Sequence, residues 1–262
     1  MRHKYGASGH PEGFLVDWNN VESVAALIKT RSTPLDYTVI IGRKERLYFL
    51  GESHSNVAIR THLQHSAGAL SASGITHLLI ESDARQKSKF EQLFLGDNID
   101  INMLKCGPVG ETHQQGYRTM VSAMIHHGIR VIPIDVNMDQ PGRKLSLDFE
   151  ENREQFIAAN IATVLNNHPG AKIAVLIGRA HTHREYHAFL SASGRLALTM
   201  GHPSMVINYC GGSVKNPQSI LQAARISGHN DATFAIDIRS YQSPIVIYGQ
   251  GNSDWVVHLP QT

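Results

Sequence analysis

Four apolar or nearly apolar runs in this chain each end in a group that can carry charge or move a proton. Leu47 to Leu50 is followed by Gly51-Glu52-Ser53-His54. Ile75 to Ile80 ends in Glu81, and Ile129 to Ile134 ends in Asp135. Ile173 to Ile177 leads into Gly178-Arg179-Ala180-His181, so an apolar run closed by Gly-x-x-His occurs twice. A fifth group, Arg153, shares a helical stripe with Ile157, Asn160 and Val164 and therefore points inward. It lies in a first turn, where the helix dipole disfavours a cation, so a compensating acid is expected among Glu52, Glu81 and Asp135. An imidazole held by a carboxylate is a general base that can activate water. A second histidine and an arginine can steady the oxyanion that forms. Read this way, Glu52, His54, Glu81, Asp135, Arg153 and His181 are a hydrolytic site with no covalent nucleophile. The same residues allow a second chemistry, because His54, His181, Glu52 and Glu81 are a mixed N/O donor set suited to Zn, Mn or Fe. Ser53 lacks the Gly-x-Ser-x-Gly elbow of serine hydrolases. No phosphate loop or dinucleotide fingerprint occurs.

Such groups meet only if their strands lie parallel, with the carboxyl ends on one sheet edge. The pattern supports that arrangement. Asp17 to Lys29 reads as a first helix. Tyr37 to Ile41 and Leu47 to Leu50 flank Gly42-Arg43-Lys44-Glu45 and read as a hairpin. Helical periodicity follows His54 through Ile59, Leu63, Ala67 and Leu70, closing near Gly74. Gln86 to Leu95 is helical, and Gly96 to Gly110 is an irregular excursion over the mouth of the site. Thr112, with Gln115 three residues on, opens another helix, and Phe149 to Asn167 is the longest. A helix is expected from His183 to Ser191, a strand from Met205 to Asn208, and a helix after Asn216-Pro217. Ile245 to Tyr248 and Trp255 to Leu259 read as a closing hairpin. The fold class is therefore α/β, with a mainly parallel central sheet flanked by helices and antiparallel hairpins at the edges. Residues 1–15 read as a flexible polar leader and 16–262 as one domain.

Composition removes several classes. With 24 basic and 22 acidic residues the net charge is +2, which gives no electrostatic case for nucleic acid. No apolar run approaches the ~20 residues that span a bilayer, and no cleavable signal peptide opens the chain. Two cysteines, Cys106 and Cys210, exclude a disulfide framework. Sixteen histidines favour a histidine-based site.

The order and placement of the strand-end motifs, with Asn152-Arg153 opening a helix between the third and fourth, resemble the erythromycin esterase / ChaN-like superfamily. That group is related to the Tiki and TraB proteins and to a domain of dermonecrotic toxins. The resemblance covers roughly residues 47–187. It implies a parallel α/β core with the site at the strand ends, and carries glutamate and histidine roles over to Glu52, His54, Glu81 and His181. Activities in the group differ: erythromycin esterases hydrolyse a macrolactone, Tiki proteins are metal-dependent proteases, and ChaN binds haem. This chain lacks the large helical insertion that builds a macrolide cleft, and it lacks a lipoprotein signal. The resemblance therefore implies a hydrolase-like bacterial effector or toxin-like protein, esterase- or metalloprotease-like. It would be cytoplasmic in the producing cell and secreted into a host cell. The alternatives are a protein that binds haem or a divalent metal, and a non-catalytic effector recognised by a host protein partner.

Overall fold

The computed structural model describes residues 20–42, 44–108, 111–136, 146–182, 185–186, 189–211, 218–229, 231–238 and 253–260. The expected polar leader lies outside them, as does the run from Ile245 to Tyr248. The first half of the chain contains α1 (Val21–Arg31), β1 (Ser32–Pro34), α2 (Tyr37–Ile40), β2 (Leu47–Glu52), α3 (Val57–His65), α4 (Ala67–Ala72), β3 (Ile75–Asp83), α5 (Lys87–Leu95) and α6 (Glu111–His126). The second half contains β4 (Arg130–Asp135), α7 (Leu147–Asn167), β5 (Lys172–Gly178), the two-residue strands β6 (Glu185–Tyr186) and β7 (Phe189–Leu190), α8 (Ala192–Leu198), β8 (Met205–Gly211), α9 (Gln218–Ile226), β9 (Phe234–Asp237) and β10 (Trp255–Leu259).

Eight strands form one sheet in the order β1-β9-β10-β8-β2-β5-β3-β4. The run from β10 to β4 is parallel, and β9 and β1 add antiparallel pairings at one edge. Central strands bury both faces, which is why they read as unbroken apolar runs. One face carries Tyr48, Leu50, Leu78 and Leu176 against Ile59, Leu63, Leu70, Phe90, Tyr117 and Met120 of α3 to α6. The other carries Phe49, Leu79, Val175 and Ile177 against Ile157, Ile161, Leu165 and Leu196 of α7 and α8. Pro133 is tolerated in β4 because that strand is a sheet edge with ladder groups to spare.

Three expectations fail for identifiable reasons. Tyr37 to Ile41 does not pair with β2. Asp36 accepts a hydrogen bond from Thr38 N at 2.8 Å and starts a helical turn, and Tyr37 and Ile40, three apart, bury together. Within the helix expected from His183 to Ser191, the described residues Glu185–Tyr186 and Phe189–Leu190 are instead two short antiparallel strands, β6 and β7. The helix begins one residue later, because Ser191 Oγ caps Gly194 N at 3.2 Å. Trp255 to Leu259 is a strand as expected, but its antiparallel neighbour is Phe234–Asp237.

The crossovers decide where a site belongs. The connection after β2 runs over the α3–α6 face, whereas the one after β5 runs over the α7–α8 face. Adjacent strands whose connections leave on opposite faces create a crevice at their carboxyl ends. Here that crevice lies between Glu52 and Gly178, which are register partners.

Candidate active site

Each strand end places one part of the site. Glu52, the last residue of β2, is buried. It accepts from His54 Nδ1 at 3.1 Å, from Arg60 Nη1 at 3.2 Å and from the Tyr117 hydroxyl. Asn56 then caps α3 on Ala58 N, which fixes the turn holding His54. On the far side of the imidazole, His54 Nε2 lies 3.4 Å from Glu81 Oε2. Glu81 sits where the β3–β4 register slips between Ile80 and Asp83. A bulge of this kind re-aims the side chain.

Glu81 is the hub. Its Oε2 accepts Gly178 N at 2.7 Å, and its Oε1 meets Arg153 Nη2 at 2.5 Å and His181 Nε2 at 3.6 Å. Arg153 also grips Asp135, with Nη2 at 2.6 Å and Nε at 3.0 Å. His181 is buried, and its Nδ1 bonds the buried Glu154. Glu154 in turn accepts Ala192 N at 2.5 Å, tying α7 to the start of α8.

The two glycines of the repeated pattern are there for close approach. A Cβ on Gly178 would lie 2.7 Å from His54 Nε2, and one on Gly51 would collide with Asn208 Oδ1. The first Gly-x-x-His turn thus puts its imidazole against the glycine of the second.

All six residues singled out from the sequence come together. Arg153 lies in the second turn of α7, not the first. Of the three acids proposed for it, it takes Glu81 and Asp135, while Glu52 is served by Arg60. Three members escaped the sequence reading: Arg60, Tyr117 and Glu154. Arg60 is fully buried, with its guanidinium 4.5 Å over the Tyr117 ring. A charge at position 60, on a stripe shared with Ile59 and Leu63, was the available signal. Glu154 likewise lies on the apolar stripe of Ile157, Ala158 and Ile161. Tyr117 sits at ordinary core spacing and gave no signal.

The electrostatics follow from this packing. Burial opposes a charge on His54, but Glu81 and Glu52 outweigh it and push its pKa up to about 10. For His181 burial is likewise outweighed, by Glu81 and Glu154, and its pKa rises to about 9. Burial works against ionised Glu81, yet the two imidazoles hold it well below the usual carboxylate range. Burial and the neighbouring Glu52 raise the Tyr117 phenol, so it stays a donor. Four acids, Glu52, Glu81, Asp135 and Glu154, therefore face four cationic groups, Arg60, Arg153, His54 and His181. His54 rests as an imidazolium rather than as the free base expected from the sequence. Its nitrogens both face carboxylates.

The donor set does not fit a metal. Arg153 already occupies Glu81 and Asp135, and among the described residues no group of three or more His, Cys, Asp or Glu is arranged to hold one. A small, shallow depression opens over Glu81 and Asp135, bounded by Ser82, Asp83, Lys105 and Gly107-Pro108. Of the irregular excursion expected between Gly96 and Gly110, the described residues Lys105, Gly107 and Pro108 flank the site. Among the described residues, no helix is long and apolar enough to cross a membrane.

No protein-family model matches the chain, and no curated protein sequence matches it either. Solved structures do match its fold. A succinoglycan biosynthesis protein aligns with a TM-score of 0.68 at 11% identity, over 91% of this chain and 96% of its own. The type III effector HopBA1 aligns at 0.56 and 14% identity, over 90% and 99%. A mutant of the erythromycin esterase EreC in its open conformation aligns at 0.53 and 10%, over 86% and 92%. The chain thus carries the α/β fold of a type III effector and of an erythromycin esterase, as its motif order implied.

Proposed function

We propose that this chain is a hydrolase-like bacterial effector, residues 16–262 forming one catalytic domain. The observation that carries the reading is the bridging of two imidazoles by one buried carboxylate: His54 Nε2 and His181 Nε2 lie 3.4 Å and 3.6 Å from the two oxygens of Glu81. His54, whose side chain is 31% exposed, is the member that meets solvent. Once it has lost its proton, Nε2 takes a proton from an attacking water, and Glu52 holds the ring through Nδ1. His181 and Arg153 stabilise the negative charge that grows on the substrate oxygen. The resting protonation of His54 sets the pH at which this works, because only the neutral imidazole is a base. Likeness in fold to the effector HopBA1 supports delivery into a host cell, where the substrate would be an ester or amide.

The test is turnover of an ester, lactone and peptide panel by the purified chain beside His54→Gln. Metal analysis and an absorbance spectrum accompany it. Turnover that depends on His54 and persists in chelator supports the reading. Stoichiometric metal or a Soret band, with no turnover of any substrate, would overturn it.

A further inference from the structure

The second residue of the Gly178–His181 turn has no part in the cluster above. Arg179 is half-buried, and its stem crosses the face of Gly51, with Cγ 3.1 Å from where a Cβ would stand there. Its Nη1 is buried and has no hydrogen-bond partner. No carboxylate among the described residues pairs with it. Other inward arginines each have an acid or carbonyl partner, although Arg60 also leaves Nε and Nη2 without one. Arg46 donates to three backbone carbonyls, Arg195 to Glu151 and Leu190 O, Arg60 to Glu52, and Arg153 to Glu81 and Asp135. Among the described residues the charge contribution that favours its cation comes from Cys210, and burial pushes that thiol up to about 12, so it is neutral. Desolvation accordingly lowers the pKa of Arg179, where the ion pairs of Arg153 raise that of its own guanidinium.

A guanidinium half-buried without an anion is unfavourable, and it persists where something other than stability requires it. The planar fork matches a carboxylate or a phosphate. The place is also informative. Arg179 follows directly on Gly178, which touches His54, and it reaches from β5 across β2, along the carboxyl edge of the sheet. We infer that Arg179 is a binding residue for an oxyanion, a carboxylate or phosphate carried by the substrate beside the bond presented to His54. The substrate class is therefore acidic. That the anion belongs to a substrate rests on the hydrolase reading; that Arg179 binds an oxyanion does not.

The experiment measures thermal melting of the full chain in inorganic phosphate and in acetate, each against chloride at matched ionic strength. Wild type, Arg179→Gln, Arg179→Lys and His54→Gln are compared. Phosphate or acetate should raise the melting temperature of wild type and of His54→Gln, and which of the two does so identifies the anion. Arg179→Gln should show no rise, and in chloride it should melt at or above wild type, since an uncompensated buried charge has been removed. Arg179→Lys keeps a point charge without the fork, and its response should be smaller than wild type. Equal rises in wild type and Arg179→Gln, no response to either anion, or a lower melting temperature of Arg179→Gln in chloride would overturn the assignment. Loss of turnover in His54→Gln with anion binding intact separates the two readings. A wild type that binds the anion but turns nothing over removes the hydrolase and leaves the anion site.

Discussion

His181 presents Nε2 to Glu81 because Glu154 holds its Nδ1 from the opposite side. The acid comes from α7 and the histidine from the turn after β5, so the pairing fixes a ring that the turn alone would leave free to rotate. Glu154→Gln keeps the acceptor for Ala192 N but removes the negative charge. The His181 pKa should fall from about 9 toward its ordinary 6.5, read by NMR titration of the imidazole. Turnover should drop with little change in KM, as for a positioning residue. An unmoved His181 titration would mean that Glu81 alone sets its charge.

Arg153 stands between two buried acids. Arg153→Met leaves buried Asp135 without its cation, while Glu81 keeps His54 and His181, and removing one partner of a buried ion pair costs about 3–5 kcal/mol. Urea unfolding should register that loss. Adding Asp135→Asn to Arg153→Met should recover part of it, since one orphaned charge disappears. Additive effects in this cycle would deny the contact.

The convergence of these groups was legible because each acid or imidazole follows an apolar strand, and parallel strand ends share an edge. The glycines of the two turns were equally visible. What the sequence concealed was the second layer. Tyr117 reads as core at helical spacing, and nothing local distinguishes a phenol that packs from one that also donates to Glu52. Glu154 is hidden because the adjacent Arg153 already accounts for an inward charge, although residue 154 lies nearer the centre of the apolar stripe. The protonation of His54 was invisible for a different reason. It depends on Glu52 and Glu81 flanking one ring, and Glu81 is aimed there by a register slip that no pattern announces. The misread hairpin at Tyr37 has a local cause, because Asp36 outweighs the β-rich composition after it.

Stability should depend on pH through the two histidines. Both have folded pKa values raised above 6.5, to about 10 for His54 and about 9 for His181. The folded state therefore holds more protons than the unfolded one between those values. The contribution is complete below about pH 6.5 and is lost as pH rises through 9 to 10. Melting temperature should fall across that window in wild type and fall less in His54→Gln. A melting temperature that rises from pH 7 to 9 would contradict the charge assignment.

The rate should follow the same proton with the opposite sign. If neutral His54 is the base, log kcat/KM climbs with pH from 6 to 9 and levels as the imidazole empties near 10. His54→Gln should lower the rate about 10²–10⁴-fold, the usual contribution of a positioned base, and abolish the slope. A profile that falls over this range instead would make His54 the proton donor.

Gly178→Ala isolates the approach of the two turns. Gly178 lies in β5, and a methyl group there would stand 2.7 Å from His54 Nε2 and 3.4 Å from Glu81 Oε2. The strand can keep its ladder, while the imidazole must move away from the carboxylate that charges it. Melting temperature near pH 7 should fall only by the share that the raised His54 pKa contributes, because His54 lies at the rim and can swing toward solvent. The His54 pKa should drop as its distance from Glu81 grows, and the pH–rate curve should shift to lower pH with a smaller plateau. That combination distinguishes a displaced ring from a damaged fold. An unshifted His54 titration in a folded Gly178→Ala protein would show that contact with Glu81 does not govern the site.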